Sequence, residues 1–249
     1  MSIVTRQPEA ATTAELAVVV LHARDAEAAA TGGADRLLLS ADPEEGHHSP
    51  EPSVVSAVVR ETDLPVWVAL SDPETPHSWE GENDLVETGG TYLELGAAGL
   101  AYGFLDRDLE VDLEGCAELC AELDGARWIF HGFDSALDAD HAWRDVMSLP
   151  GLESVVSAGS TRGIEHGADE LISRCRSDPR VAQLLLAGGG LTPELVPWLI
   201  RVGVRRFAIG SSARSSSSWT RASVDVDHVR SWRMLVDDAL SRALGIPVD

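Results

Sequence analysis

Residues 182–210 read AQLLLAGGGLTPELVPWLIRVGVRRFAIG. An apolar run at 182–187 gives way to three glycines and a threonine-proline helix start at 192–193. An amphipathic stretch to 201 follows, then a second apolar run at 205–210. Short apolar runs bounded by turn residues predict strands buried on both faces, and the helical stretch between them predicts one βαβ unit of a parallel sheet. The same alternation extends outward from this stretch. Runs at 16–21, 36–40, 65–70, 99–105, 126–131 and 152–157 complete the set of predicted strands, and helical patterns at 24–31, 50–61, 110–122, 136–147, 164–176 and 226–244 follow most of them. Ser49 before Pro50 predicts a capped helix start at 50. The third helix, expected over 83–95, carries Gly89-Gly90 in its middle. A cost of about 1 kcal/mol per glycine predicts a short or broken helix there. The pattern as a whole predicts an α/β fold of the (β/α)8 TIM-barrel type, one domain over 15–249 after a flexible segment at 1–14. A doubly wound open sheet is the alternative.

Charge narrows the partners. The chain of 249 residues carries 41 acidic side chains against 19 basic ones, a formal charge of −22, and every base is arginine. That excess repels the phosphates of nucleic acid and of anionic membranes, so neither is an expected partner, while a small anionic ligand held in a local pocket remains compatible. The N-terminal stretch lacks a basic start followed by an apolar core, and there is no apolar run of about 18 residues, so a cytoplasmic protein is expected. Three cysteines argue against a disulfide framework. Cys116 and Cys120 stand four apart on one helical face near Leu113, Leu119 and Leu123, which predicts core packing over a soft-metal pair.

In such a barrel, function gathers in the loops after the strands' C-terminal ends. The turns after strands seven and eight bring Gly188, Gly189 and Gly190 together with Ser211 and Ser212. Exposed backbone N–H groups and hydroxyls there predict an anion site, with Arg214 as its charge. His131 closes strand five in WIFHGFD, with Asp134 three residues on. The two are candidate catalytic residues, the imidazole serving as general base, ligand or clamp. The stretch EEGHHSPEPS (44–53) puts His47 and His48 on the same rim as candidate metal ligands with Glu45 or Asp42. Adjacent side chains in extended backbone point to opposite sides, so one shared metal needs a bent loop. Glu45 and Ser157 are placed at the mouth of the barrel. The serines 215–218 predict a surface loop, a candidate lid.

Seven stretches then occur in the order of one family: GGADRLLLS (32–40), EEGHHSPEPSVVSAVV (44–59), YGFLDRDLEVDLE (102–114), FHGFDSALD (130–138), VVSAGS (155–160), LLLAGGGLTPELV (184–196) and AIGSSAR (208–214). From about 16 to 214 the chain resembles the CutC copper-homeostasis family. The resemblance implies a TIM barrel, a cytoplasmic location, a homodimer or larger homo-oligomer, and copper handling. The family's proposed copper-binding cysteines, in strand one and closing strand two, match Val19 and Ser40 here. Its strand-end acids match Ala17 and Leu38, its Arg-Pro-Arg after strand three matches Ser71-Asp72-Pro73, and the arginine of its FHRAFD matches Gly132. Cu(I) selects thiolate or thioether ligands, so copper as a cofactor rests on the resemblance alone. Three readings stand open: a divergent CutC-like copper protein, an enzyme acting on a small phosphorylated or carboxylated metabolite at the barrel mouth, and a non-catalytic barrel.

Overall fold

A computed structural model describes residues 12–41, 49–71, 83–216, 219 and 222–246. In chain order the elements are β1 (Glu15–Val20), α1 (Ala23–Gly32), β2 (Arg36–Leu39), α2 (Pro52–Glu61), β3 (Val66–Ala69), α3 (Asn83–Glu94), β4 (Gly99–Tyr102) and α4 (Leu113–Glu122). There follow β5 (Trp128–Phe130), α5 (Ala139–Val146), β6 (Leu152–Ser157), α6 (Ile164–Ser177), α7 (Pro179–Leu184), β7 (Leu185–Ala187), α8 (Val196–Arg201), β8 (Arg206–Ile209) and α9 (Val226–Leu244). The strands run parallel in sequence order, and β8 closes onto β1 through pairs such as Ala17 with Ala208. This is a TIM barrel, not an open sheet.

Several boundaries depart from the sequence pattern, each for a local reason. Residues 182–184 end α7 instead of opening β7, because Pro179 starts a helix that Asp178 caps through the Arg180 N–H at 3.0 Å. Ser49 does not cap α2. Its hydroxyl exchanges 2.9 Å hydrogen bonds with the Ser71 backbone, and the helix opens later, at Pro52. The helix expected from 192 likewise starts at Val196. β4 stops at Tyr102 because the chain turns into a hairpin, where Leu105 bridges Val111 and Asp106 accepts the N–H groups of Asp108 and Glu110.

The third helix is continuous through Gly89-Gly90. At Gly89 an added Cβ would stand 3.1–3.2 Å from Leu70, Leu100 and Leu123, so the missing side chain lets the helix backbone settle onto the barrel. Buried Tyr92, one turn on, bonds the Pro50 carbonyl. Packing has overridden propensity. Gly90 serves no such purpose, since nothing lies within 4 Å of its would-be Cβ. Gly90→Ala is therefore expected to stabilise the protein by about 0.5–1 kcal/mol in urea unfolding, whereas Gly89→Ala gains nothing or loses. Equal effects at both positions would contradict this division of roles.

Two apolar layers hold the fold. The larger lies between strands and helices and includes Cys116, Leu119 and Cys120 on the inner face of α4. Both thiols are core residues, and burial pushes Cys116 up to about 12. The smaller layer fills the barrel axis with Ala17, Trp67, Ile129, Leu186 and Ala208. Beneath it, Arg36 pairs with Glu15 and Glu153, and Glu153 also pairs with Arg127. Both guanidinium groups lie over the Trp67 ring, at 4.8 and 5.4 Å. Gly99 is required beside that ring, which any Cβ would overlap. The floor of the barrel is therefore closed. At the N-terminus Ala14 already belongs to the fold, being buried with its carbonyl bonded by Arg233 at 3.1 Å; residues 1–11 lie outside the described set.

Candidate functional site

Above the Trp67 layer the axis opens into a cavity of about 230 Å³ at the C-terminal ends of the strands. Its walls are mostly apolar: Val19, Leu38, Ala101, Val156 and Ile209 from the strands, Trp67 below and Trp219 at the rim. The polar groups are Ser40, His131 and the two turns after β7 and β8. Gly189 and Gly190 adopt φ of 73° and 87°, and a Cβ on Gly189 would stand 2.8 Å from that of Ala158. The Gly189 carbonyl accepts the Ile164 N–H at 2.9 Å, which ties this turn to the start of α6. Ser211–Ala213 form one 3-10 turn, with the Ala213 N–H bonded to the Gly210 carbonyl at 3.0 Å. Among the described residues, none accepts a hydrogen bond from the N–H groups of Gly189, Gly190, Ser211 or Ser212. Gly188 is not part of the wall; its N–H bonds the Ser157 carbonyl at 3.2 Å.

Arg214 does not serve this cavity. Its guanidinium is fully buried and pairs with Asp25 at 2.9 Å, with further bonds to the carbonyls of Ala222 and Val19. The reason lies in α1. Asp25, fully buried in the first turn, also accepts the N–H groups of Leu21 at 3.1 Å and Val224 at 2.8 Å, and a buried carboxylate needs a cation beside it. Trp219 in turn stacks on Arg214 at 5.1 Å and covers Gly210, where a Cβ would overlap its ring. Arg214 is thus the pedestal of the aromatic rim. No local signal in the sequence joins Asp25 to a residue 189 positions away.

His131 and Asp134 part company as well. His131 directly follows β5, its N–H bonded to the Tyr102 carbonyl at 2.9 Å, and it lines the axial cavity. Gly132, with φ of 83°, then turns the chain so that Asp134 faces β6. Its carboxylate accepts the Ser157 hydroxyl at 2.5 Å and the Ala158 N–H at 2.6 Å. Asp134 and buried Ser157 therefore brace two loops, and neither lines the axial cavity. A second cavity of about 270 Å³ lies between these loops, and His131, Val156 and Gly189 line both spaces. Glu45, His47 and His48 lie outside the described residues, as do residues 217–218 of the serine run.

The sequence profile of the CutC family matches residues 14–213. The chain belongs to the CutC family. It is 27% identical over 207 residues to a CutC family protein of Treponema denticola, covering 81% of this chain and 83% of that one. It is 29% identical over 164 residues to the human copper homeostasis protein cutC homolog, covering 65% of this chain and 59% of the human one. A crystal structure of CutC from Streptococcus agalactiae shares the barrel, with a TM-score of 0.68 at 17% identity over 80% of this chain and 98% of that one.

Membership in the CutC family gives the cavity a particular meaning. Val19 and Ser40, which stand where the resemblance puts two thiols, both line it. Ala17 and Leu38, matched to family acids, sit in or against the axial apolar layer. Cu(I) needs soft donors, and all three thiols of this chain are buried and protonated in the surrounding helices, with Cys175 pushed up to about 11. Among the described residues no three of His, Cys, Asp and Glu come together. Those residues do not fit copper. The sequence marked Val19, Ser40 and the two turns, but gave no signal for Trp67 or Trp219.

Proposed function

We propose that this CutC family protein binds a small carboxylated metabolite with an apolar body in the axial cavity, and that copper is not its ligand there. The apolar wall carries this reading. A cavity of about 230 Å³ has room for a compact aromatic or branched aliphatic acid, and apolar contact supplies roughly 25 cal/mol per Å² buried. At the rim, N–H groups of Gly189, Gly190, Ser211 and Ser212, for which the described residues supply no backbone acceptor, suit a carboxylate. Among the described residues no arginine lines the cavity, Arg214 being committed to Asp25, and a phosphate dianion without a cation would be poorly held. His131 is then a polar contact to the ligand. Cysteines free of disulfides support a cytoplasmic protein.

The test is thermal unfolding of the whole protein with a panel of aromatic and branched aliphatic monocarboxylates, inorganic phosphate, and Cu(I) titrated against a chelator. An acid at about 100-fold its Kd is expected to add about 2.7 kcal/mol of stability. One Cu(I) per chain retained against the chelator, or stabilisation by phosphate alone, would reject the proposal.

A further inference from the structure

The second cavity differs in chemistry from the first. It opens between the loops after β5 and β6, and its polar lining comes from His131, Asp134, Ser135, Ser160, Thr161 and Gly163. Three hydroxyls, one carboxylate and the His131 imidazole make it a surface of acceptors and of groups that both donate and accept, with no arginine among the described lining residues. The Asp134 carboxylate uses one lone pair on each oxygen for Ser157 and Ala158, which fixes its position and leaves acceptor capacity on both. Ser160 Oγ accepts the Arg162 N–H at 3.2 Å and keeps its own hydrogen to donate. His131, Val156 and Gly189 border both chambers, which therefore lie side by side.

We infer that the ligand has two parts: an apolar acid in the axial chamber and a hydroxylated arm, of the size of one sugar, in the side chamber. The inference rests on the axial reading above and adds the class of the second half. Vicinal hydroxyls donate to Asp134 and both give to and take from Ser135, Ser160 and Thr161. An ammonium group offers donors alone and leaves the hydroxyl hydrogens of the wall unmatched. A second anion meets the Asp134 carboxylate with no arginine among the described lining residues to offset it. The side chamber therefore selects a neutral polyol.

Calorimetric titration of the whole protein with 4-hydroxybenzoate, its 4-O-β-D-glucoside and 4-(aminomethyl)benzoate separates the outcomes. The glucoside is expected to bind roughly tenfold or more tightly than the parent acid, the equivalent of one or two net hydrogen bonds. Ser160→Phe, which obstructs the side chamber, is expected to return it to the affinity of the parent acid or below. Thr161→Val, which removes one hydroxyl at nearly constant volume, is expected to erase part of the gain. If the acid binds and the glucoside gains nothing, the side chamber is no subsite although the axial reading survives. Tighter binding of the aminomethyl compound than of the glucoside overturns the polyol assignment. If none of the three binds, this inference falls, and the axial reading falls with it when the monocarboxylate panel also leaves thermal unfolding unchanged.

Discussion

Arg214→Ala is expected to destabilise the protein by about 3–5 kcal/mol, because it strands the Asp25 carboxylate in a fully buried site. Both partners are fully buried, so solvent screening does not reduce the effect. For a domain of this size the loss corresponds to a fall in Tm of roughly 6–20 °C, measurable by scanning calorimetry. The sharper measurement is the double variant. Asp25→Asn removes the charge and keeps one acceptor oxygen, which serves the N–H of Leu21 or of Val224 but not both, since the two bond different carboxylate oxygens. Arg214→Met fills the guanidinium's space without charge. With no charge left unpaired, Asp25→Asn/Arg214→Met is expected to melt above Arg214→Ala. A single Arg214→Ala variant that unfolds at the parent temperature would show that the pair holds nothing. Because Trp219 stacks on Arg214, the same substitution is also expected to loosen the rim of the axial cavity.

Trp67→Ala should cost a comparable amount, about 3–5 kcal/mol, through a different mechanism. The indole is 1% exposed and fills the axis between the ionic floor and the cavity. Its removal leaves a void lined by apolar side chains and by the charged groups of Arg36 and Arg127, which lose the ring they lie against. Urea unfolding measures the loss. Trp67→Phe supplies the control. The indole N–H makes no hydrogen bond among the described residues, so a phenyl ring gives up volume but no polar contact and is expected to retain most of the stability. If alanine and phenylalanine lose equally, the ring's bulk is not what matters at this position.

The barrel was legible in the sequence because burial on both faces favours apolar residues along most of each strand, as in LAVVV of β1 and the three leucines of β2. Two elements depart from the pattern for different reasons. Gly89 looks like a helix breaker until Leu70, Leu100 and Leu123 are seen against it, and residues 182–184 look like strand until Asp178 is seen capping α7. At Gly89 side chains from elsewhere in the chain decide the local structure, whereas at 182–184 the deciding cap, Asp178, lies directly before the helix. The two turns and His131 line one cavity because all of them follow strand ends on the same face of the barrel. Arg214 was misplaced because charge in a sequence carries no direction, and the carboxylate that claims it belongs to the first helix of the barrel.

That last contact has a consequence for how the protein is made. Asp25 emerges from the ribosome with β1 and α1, but its cation and the Val224 N–H follow only about two hundred residues later. At roughly 5–20 residues per second, the first β/α unit waits some 10–40 s before the carboxylate in its first turn can be buried with a partner. Until then a charged group that prefers water sits where the finished molecule is dry, which discourages the N-terminal units from sealing among themselves. The pair works as a latch that closes only once the last strand has arrived.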